Sequence, residues 1–153
     1  MNLLACADAS LVIKLIVAEP DSDQALRLWQ SWLQAGQTIC APQLLTYEVA
    51  SSLRRRVWRG MLTPQEAASA LEDFLALDVT LTDPVGLGKR ALELADRFHR
   101  PNAYDAHYLA LAEMLGCDLW TADEKLYNTV RSELDWIRWL GNWFPPDEGP
   151  LPQ

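Results

Sequence analysis

Residues 3–18, LLACADASLVIKLIVA, join a short apolar segment to a helical segment through a single aspartate. Leu3–Ala7 has the length and apolar character of a buried strand. Ser10–Ala18 has the spacing of a short helix, which is expected to end at the Glu19-Pro20 step. Asp8 therefore lies where a predicted strand gives way to a predicted helix. The same order of strand and helix recurs along the chain.

Further strands are predicted at Thr38–Ala41, Val79–Leu81, Cys117–Thr121 and Trp136–Leu140. The predicted helices between them begin at Asp21 or Ser22, Pro42, Thr63-Pro64, Asp83-Pro84, Asn102 and Asp123. They are expected to end near Ala35, Arg59, Leu77, His99, Gly116 and Val130. Strands separated by helices indicate a mainly parallel sheet with right-handed crossovers. The predicted class is α/β, with a central sheet of four to five strands.

The length and composition bound the domain organisation and exclude several classes of protein. A chain of 153 residues suits one domain, which we place at residues 1–144, followed by a proline-rich tail at 145–153. Thirteen basic and twenty-one acidic residues give a net charge of −8, the wrong sign for a protein that coats nucleic acid by bulk electrostatics. No apolar segment is long enough to span a bilayer, so no membrane association is expected.

The cysteines indicate neither a zinc site nor a disulfide framework. Cys6, Cys40 and Cys117 lie far apart in the sequence, form no CxxC pair and are accompanied by only two histidines. Each falls in a predicted strand. We therefore interpret them as buried thiols of a protein in the reducing cytoplasm.

Four acidic residues occupy positions that a parallel sheet can bring together. Asp8 follows the first strand and Asp123 follows the fourth. Asp105 lies in the first turn of the helix that precedes the fourth strand, and Glu48 lies inside the long helix after the second. Sites in open parallel sheets form beyond the carboxyl ends of the strands, so these carboxylates are candidates for one cleft.

Each acid also has a purely structural interpretation. Asp8 can cap the first helix, and Asp105 can complement the dipole of a helix capped by Asn102. Residues 121–124, TADE, read as a capping box with Asp123 as a second-position acid. Glu48 lies in a largely apolar stretch, so it either faces solvent along a narrow edge of the helix or is buried because the interior requires an acid there. Taken jointly, converging carboxylates repel one another unless a cation lies among them, and hard ions such as Mg²⁺ prefer oxygen ligands.

A basic cluster follows Glu48 on the same helix. At about 100° per residue, Arg55 and Arg59 return to within about 20° of the direction of Glu48. One helix face can therefore run from a carboxylate to two arginines, which suits a metal site beside a phosphate-backbone contact. The alternative is a solvated helix end whose cations favour the dipole, and both interpretations can hold together.

Four segments together resemble the motifs of PIN-domain proteins. They are ADASLVIKL at 7–15, PQLLTYEVA at 42–50, YDAHYLALA at 104–112 and LWTADEKL at 119–126, in the family's order and spacing. The nearest resemblance is to the VapC-like toxins of bacterial toxin–antitoxin modules. The resemblance implies a three-layer α/β/α fold and a metal-dependent endoribonuclease, usually dimeric and inhibited by a cognate antitoxin.

The resemblance also implies roles for individual residues. Asp8, Glu48, Asp105 and Asp123 correspond to the family's acidic quartet, and Ser10 and Thr121 to its small hydroxyl residues near the metal. Asp8, Asp105 and Asp123 are then expected to hold Mg²⁺ or Mn²⁺, with Glu48 binding the attacking water or a second ion.

The expected function is therefore hydrolysis of RNA phosphodiester bonds by a homodimeric, cytoplasmic toxin, with Arg55 and Arg59 as RNA contacts. Trp136, Trp139 and Trp143 are expected to cover the core or a subunit contact. The alternative is a catalytically silent PIN-fold module that works by protein association. A receiver-like phosphorelay domain is disfavoured, because it requires a paired Asp-Asp after the first strand and a lysine after the last.

Overall fold

The computed structural model describes residues 2–147, in which strands and helices alternate. The strands are β1 (Leu4–Ala7), β2 (Thr38–Ala41), β3 (Val79–Leu81), β4 (Leu119–Thr121) and β5 (Ile137–Trp139). The helices are α1 (Ala9–Ile16), α2 (Ser22–Gln34), α3 (Leu44–Trp58), α4 (Pro64–Leu75), α5 (Leu87–Arg97), α6 (Tyr104–Leu115) and α7 (Glu124–Val130). The predicted α/β class is confirmed.

The five strands form one parallel sheet in the order β3-β2-β1-β4-β5. The chain builds outward from β1 to β3 and then crosses to the other side of β1 for β4 and β5. Helix α1 packs on α2 and α3, helix α5 packs on α6, and both α1 and α6 contact β4. This is the predicted three-layer arrangement. The reversal of strand order at β1 and β4 opens a crevice beyond their carboxyl ends.

The centre of the sheet is built from small apolar side chains. Ala5, Cys6 and Ala7 of β1 are each at most 3% exposed, which allows helices to pack closely on both faces of the strand. The Sγ atoms of Cys6 and Cys117 lie 3.4 Å apart, and both thiols are free and buried, as is that of Cys40. Cys117 lies before β4 instead of inside it, because its amide still donates to the oxygen of Ala112 at the end of α6.

Helix α5 begins later than its sequence predicts. The Asp83-Pro84 step was expected to start it, but the helix begins at Leu87, after Gly86 at φ +92°. The Asp83 carboxylate instead accepts a hydrogen bond of 3.1 Å from the amide of Gln43, the N-cap of α3. Asp83 therefore ties two loops together and does not cap its own helix.

Trp136 and Trp143 of the C-terminal segment pack against the core, which is one of the two alternatives expected for these tryptophans. Trp136 donates its indole N–H to the oxygen of Leu109 (3.1 Å), and Trp139 stacks on Tyr127 at 5.9 Å between ring centroids. Most of the predicted tail, residues 148–153, lies outside the described part of the chain, and its boundary at 144/145 stays a prediction. Within residues 2–147 no helix is long and apolar enough to cross a membrane.

Candidate active site

A cavity of about 510 Å³ lies beyond the carboxyl ends of β1 and β4. Its lining includes the four predicted acids, Asp8, Glu48, Asp105 and Asp123. Ser10, Arg55 and Arg59 line the same cavity. The structure therefore brings together residues that are up to 115 positions apart in the sequence, because the strand reversal places the β1 and β4 loops side by side.

Asp8 is both a helix cap and a wall of the cavity. Its Oδ1 accepts hydrogen bonds from the amide of Leu11 (3.1 Å) and the hydroxyl of Ser10 (2.6 Å), and the residue is 4% exposed. Burial raises the pKa of the Asp8 carboxyl to about 7, and the negative charge of Asp105 adds to the rise. The hydrogen bonds from Ser10 and Leu11, and one involving Thr121, offset part of this rise in the pKa of Asp8.

Ser10 and Thr121 link the loops that carry Asp8 and Asp123. The hydroxyls of Ser10 and Thr121 lie 3.2 Å apart, and the Ser10 hydroxyl also accepts from the amide of Ala122 (2.9 Å). The Thr121 hydroxyl accepts from the amide of Asp123 (3.0 Å). Thr121 is fully buried and lies behind the cavity wall, so it acts on the site through Ser10 and Asp123.

Asp123 is the N-cap of α7, which corrects the capping-box prediction that placed it inside the helix. Its Oδ1 accepts from the amides of Lys125 (2.9 Å) and Leu126 (3.2 Å). Thr121 cannot be the N-cap, because it is the last residue of β4. As with Asp8, capping and cavity lining hold together.

Asp105 is the second residue of α6 and forms an ion pair that its sequence neighbourhood did not predict. Its Oδ2 lies 3.0 Å from Nη2 of Arg100. Asn102 precedes the N-cap residue, Ala103, by one position, and its Oδ1 accepts from the amide of Tyr104 (3.3 Å). The helix therefore starts one residue later than an Asn102 cap predicts.

Glu48 is half-buried and faces α6. The hydroxyl of Tyr108, a residue 1% exposed, donates to Oε1 of Glu48 at 2.6 Å. Burial raises the pKa of Glu48, and Asp105 raises it further, while Tyr108 and Arg55 counteract the shift. Burial and the Glu48 carboxylate also raise the pKa of the Tyr108 phenol, so it stays protonated. Glu48 therefore combines the two interpretations: it is partly exposed at the cavity and is held from the inside by Tyr108.

The cavity has a basic end that adjoins the acids. Arg55, at the predicted distance along α3 from Glu48, donates from Nη1 to the hydroxyl of Ser51 (3.2 Å). Arg59 follows the last residue of α3, and its backbone amide closes the helix by donating to the oxygen of Arg55 (3.0 Å). Both side chains are largely exposed at the cavity, where a polyanion can reach them.

Three further lining residues, Lys14, Glu19 and Arg56, form an ion-pair cluster that the sequence did not predict. Glu19 Oε1 lies 2.6 Å from Arg56 Nη2, and Glu19 Oε2 lies 2.9 Å from Lys14 Nζ. Burial by itself would raise the pKa of Glu19, but the bonds from Lys14 and Arg56 outweigh it and hold that pKa below its ordinary value. Lys14 within an apolar helix was the one sequence signal for this cluster.

The donor chemistry of the acidic end suits a hard divalent cation. It offers carboxylate and hydroxyl oxygens, and two of its carboxyls, Asp8 and Glu48, have raised pKa values partly because Asp105 lies nearby. A cation would relieve this repulsion and favour the ionised forms. As the side chains stand in residues 2–147, no three or more of His, Cys, Asp or Glu are grouped closely enough to hold a metal ion, so a cation would have to draw the acids together.

Two further polar residues near the acids in sequence do not line the cavity. The Nδ1 of His107 is 2.5 Å from the oxygen of Ala103, so the ring packs along its own helix. Asp118 precedes β4, at the opposite end of the strand from Asp123, and pairs with Arg138 at 3.3 Å.

The chain is similar to known proteins in both sequence and fold. Residues 5–131 match the PIN domain family. The chain is 39% identical to VapC ribonuclease Mb0985 of Mycobacterium bovis over 101 residues, which is 66% of this chain and 77% of that protein. It is 37% identical to ribonuclease VapC3 of Pyrobaculum aerophilum over 123 residues, which is 78% of this chain and 88% of that protein.

Two solved structures share the fold. PAE2754 from Pyrobaculum aerophilum superposes with a TM-score of 0.64 at 23% identity, over 92% of this chain and 93% of that one. VapC20 of Mycobacterium tuberculosis, described as a sarcin–ricin loop cleaving toxin, superposes with a TM-score of 0.62 at 18% identity, over 85% and 95% of the two chains. At these identities the superpositions establish the architecture alone.

Proposed function

Because this chain belongs to the PIN domain family, we propose that it is a VapC-like toxin, an endoribonuclease that hydrolyses phosphodiester bonds of RNA. The observation that carries the proposal is the position of Asp8, Glu48, Asp105 and Asp123 around one cavity. Hydrolysis of a phosphodiester needs a positioned water and a countercharge for the phosphate, and clustered carboxylates are suited to hold the cation that supplies them.

The proposed cofactor is Mg²⁺ or Mn²⁺. Asp8, Asp105 and Asp123 would hold the cation, which would supply positive charge at the phosphate and polarise the attacking water. Asp8 and Asp123 each accept backbone amide hydrogen bonds through Oδ1, so these amides already fix the carboxylate planes. The ion pair with Arg100 fixes Asp105 in the same way. These contacts lower the cost of ordering the ligands when a cation binds.

Glu48 would orient the attacking water and accept its proton. Tyr108 donates to Oε1, which leaves Oε2 as the acceptor for that proton. The raised pKa of Glu48 brings its basicity closer to neutral pH, where a general base is most effective. Attack then proceeds in line with the leaving oxygen.

The basic end of the cavity would hold the RNA backbone. Arg55 and Arg59 line the cavity beside the acids, whereas Arg56 and Lys14 are engaged by Glu19. The first two are therefore the cations best placed for phosphates that flank the scissile bond. A local patch of this kind is compatible with a net charge of −8, because phosphate contacts are short-range at physiological salt.

We further propose a cognate antitoxin and a second copy of this chain as partners, and the cytoplasm as the compartment. The family resemblance favours a dimer, whereas the C-terminal tryptophans offer little for a subunit contact, because Trp136 and Trp143 pack against the core and Trp139 stacks on Tyr127. Large apolar side chains are exposed at the end of α3 instead: Trp58 is 81% and Met61 64% exposed. A separate apolar groove of about 250 Å³ lies between α3 and α4, and together with the exposed Trp58 it is the better candidate for a protein contact.

A nuclease assay tests the proposed function directly. Antitoxin-free protein is incubated with Mg²⁺ or Mn²⁺ and a panel of structured RNAs that includes a sarcin–ricin hairpin. We expect cleavage by the wild type and loss of cleavage in Glu48→Gln, which keeps the shape of the side chain and removes its charge. Equal, metal-independent activity of both proteins would contradict the proposal. A wild type that cleaves no RNA but binds a protein partner would support the silent module.

A further inference from the structure

Tyr108 joins two helices that each carry a cavity acid. It lies three residues after Asp105 on α6, so both side chains leave the same face of that helix. Its hydroxyl reaches Oε1 of Glu48 on α3 at 2.6 Å, while its ring is 1% exposed. One face of α6 therefore supplies an acid to the cavity and also holds an acid supplied by α3.

Glu48 differs from Asp105 and Glu19 in the kind of donor that holds it. Asp105 pairs with Arg100 and Glu19 pairs with Lys14 and Arg56, so cations neutralise those two carboxylates. The donor to Glu48 is a phenol, which orients the carboxylate without neutralising it. The negative charge of Glu48 is thus kept for a cation or for a proton from water, in a defined direction.

The hydrogen bond from Tyr108 also reduces the entropic cost of fixing the Glu48 side chain. A free glutamate side chain has three rotatable bonds, and fixing it in one conformation costs on the order of 1–2 kcal/mol of entropy. A rigid, buried tyrosine supplies that fixation before any ligand arrives. A half-buried carboxylate without such a donor would also be poorly compensated for the loss of solvent.

We propose that Tyr108 is a positioning residue, whose hydroxyl holds the Glu48 carboxylate in the orientation that the hydrated divalent cation and the attacking water require. The inference rests on the proposed function, and it extends that function to a residue outside the acidic quartet. Tyr108 lines the cavity but is 1% exposed, and its hydroxyl is directed to Glu48, so we assign it a role through that carboxylate.

The test is the substitution Tyr108→Phe, which removes one oxygen and keeps the buried ring. Binding of Mn²⁺ alone is measured by calorimetry, and kcat and KM are measured on the best-cleaved RNA of the panel. We expect Mn²⁺ affinity and kcat each to fall about tenfold, because Glu48 would hold water of the hydrated cation and the loss of an outer-shell contact typically costs this much, with KM for RNA within about twofold. Tyr127→Phe is the matched control, because it deletes a phenol oxygen that accepts from Nδ2 of Asn142 at 3.4 Å and does not line the cavity.

A second substitution separates positioning from general destabilisation. In a Glu48→Gln background, Tyr108→Phe should cause no further loss of Mn²⁺ affinity, because the carboxylate it orients is gone. Unchanged Mn²⁺ affinity and kcat in Tyr108→Phe, a tenfold loss that persists in the Glu48→Gln background, or failure of the variant to fold would each overturn the inference. If the wild type cleaves RNA and Tyr108→Phe matches it, the inference alone is lost. If the wild type neither binds Mn²⁺ nor cleaves RNA, the proposed function is lost and the inference with it.

Discussion

The carboxylate of Glu19 lies 2.6 Å from the guanidinium of Arg56 and connects the end of α1 to the last turn of α3. Lys14 approaches the other carboxylate oxygen at 2.9 Å, and all three side chains are less than one quarter exposed. Lys14, Glu19 and Arg56 line the same cavity as Arg55 and Arg59. The Glu19 ion pairs also join the helix that follows Asp8 to the helix that carries Glu48.

Glu19→Gln should destabilise the fold, because it leaves two partly buried cations with a weaker acceptor. We expect a loss of about 1–3 kcal/mol at pH 7, measured by urea unfolding. The pKa of Glu19 is lowered in the folded state, so the Glu19 carboxylate stabilises the fold at pH values above its unfolded-state pKa. This stabilisation is lost as the pH falls through the folded-state pKa. Asp23→Asn, which breaks an exposed pair with Arg27, is the control and should cost less than about 1 kcal/mol. Equal losses in the two variants would contradict the structural role of Glu19.

Asp8→Asn should abolish RNA cleavage without weakening the fold. Asparagine caps a helix about as well as aspartate, so the capping role of Asp8 survives the substitution. Removal of one carboxylate from a repelling cluster should leave the melting temperature equal or higher. Asp118→Asn, at the other end of β4, is expected to cleave normally. Full cleavage by Asp8→Asn at saturating metal would falsify its role as a ligand.

The raised pKa of Asp8 gives the metal-free protein a specific pH dependence. The folded value is about 7 and the ordinary value is 3.8, so the folded state binds this proton more tightly. The tighter binding of this proton stabilises the folded state. The stabilisation is full below about pH 4 and is lost as the pH rises through about 7. The melting temperature of Asp8→Asn minus that of the wild type, measured in chelator, should increase from pH 4 to pH 8. A difference that stays flat over this interval would show that burial does not shift the Asp8 carboxyl.

Arg55→Ala combined with Arg59→Ala should weaken RNA binding more than catalysis. We expect KM to rise about threefold to tenfold with kcat little changed, because these arginines are placed to bind the RNA backbone and not the reacting phosphate. The slope of log affinity against log salt should become shallower by about 0.7 for each phosphate that is no longer neutralised. Lys89→Ala is the control, since Lys89 is an exposed cation that does not line the cavity. A similar change in Lys89→Ala would indicate a diffuse electrostatic effect.

Trp58→Ser should weaken self-association if the end of α3 forms the contact between copies. Sedimentation of the wild type at micromolar concentration should show a species of twice the 17.3 kDa chain mass. The variant should shift toward the monomer, because an 81% exposed tryptophan is expected to be a major contributor to such a contact. A wild type that sediments only as a monomer would contradict the dimer, and an unchanged dimer in the variant would place the contact elsewhere.

The sequence by itself determined the order of the elements and the positions of the acids along them. Strand Thr38–Ala41 was predicted at its observed bounds, because a short apolar run bounded by Gly36 and Pro42 can form few structures other than a strand. Asp8 and Asp123 were placed at strand ends, and parallel strands direct their carboxyl ends to one edge. Local patterns fail where a polar side chain has competing partners, as with Asp83, which bonds to Gln43 instead of capping α5.

Only the tertiary structure decided which side chains hold the acids in place. Tyr108 and Glu48 are 60 positions apart, and Glu19 and Arg56 are 37 apart. Helical periodicity gives the direction in which each side chain leaves its own helix, but not which helix lies opposite or at what height. Those are fixed by how the apolar faces of α1, α3 and α6 pack on the sheet, a long-range property that no local pattern encodes.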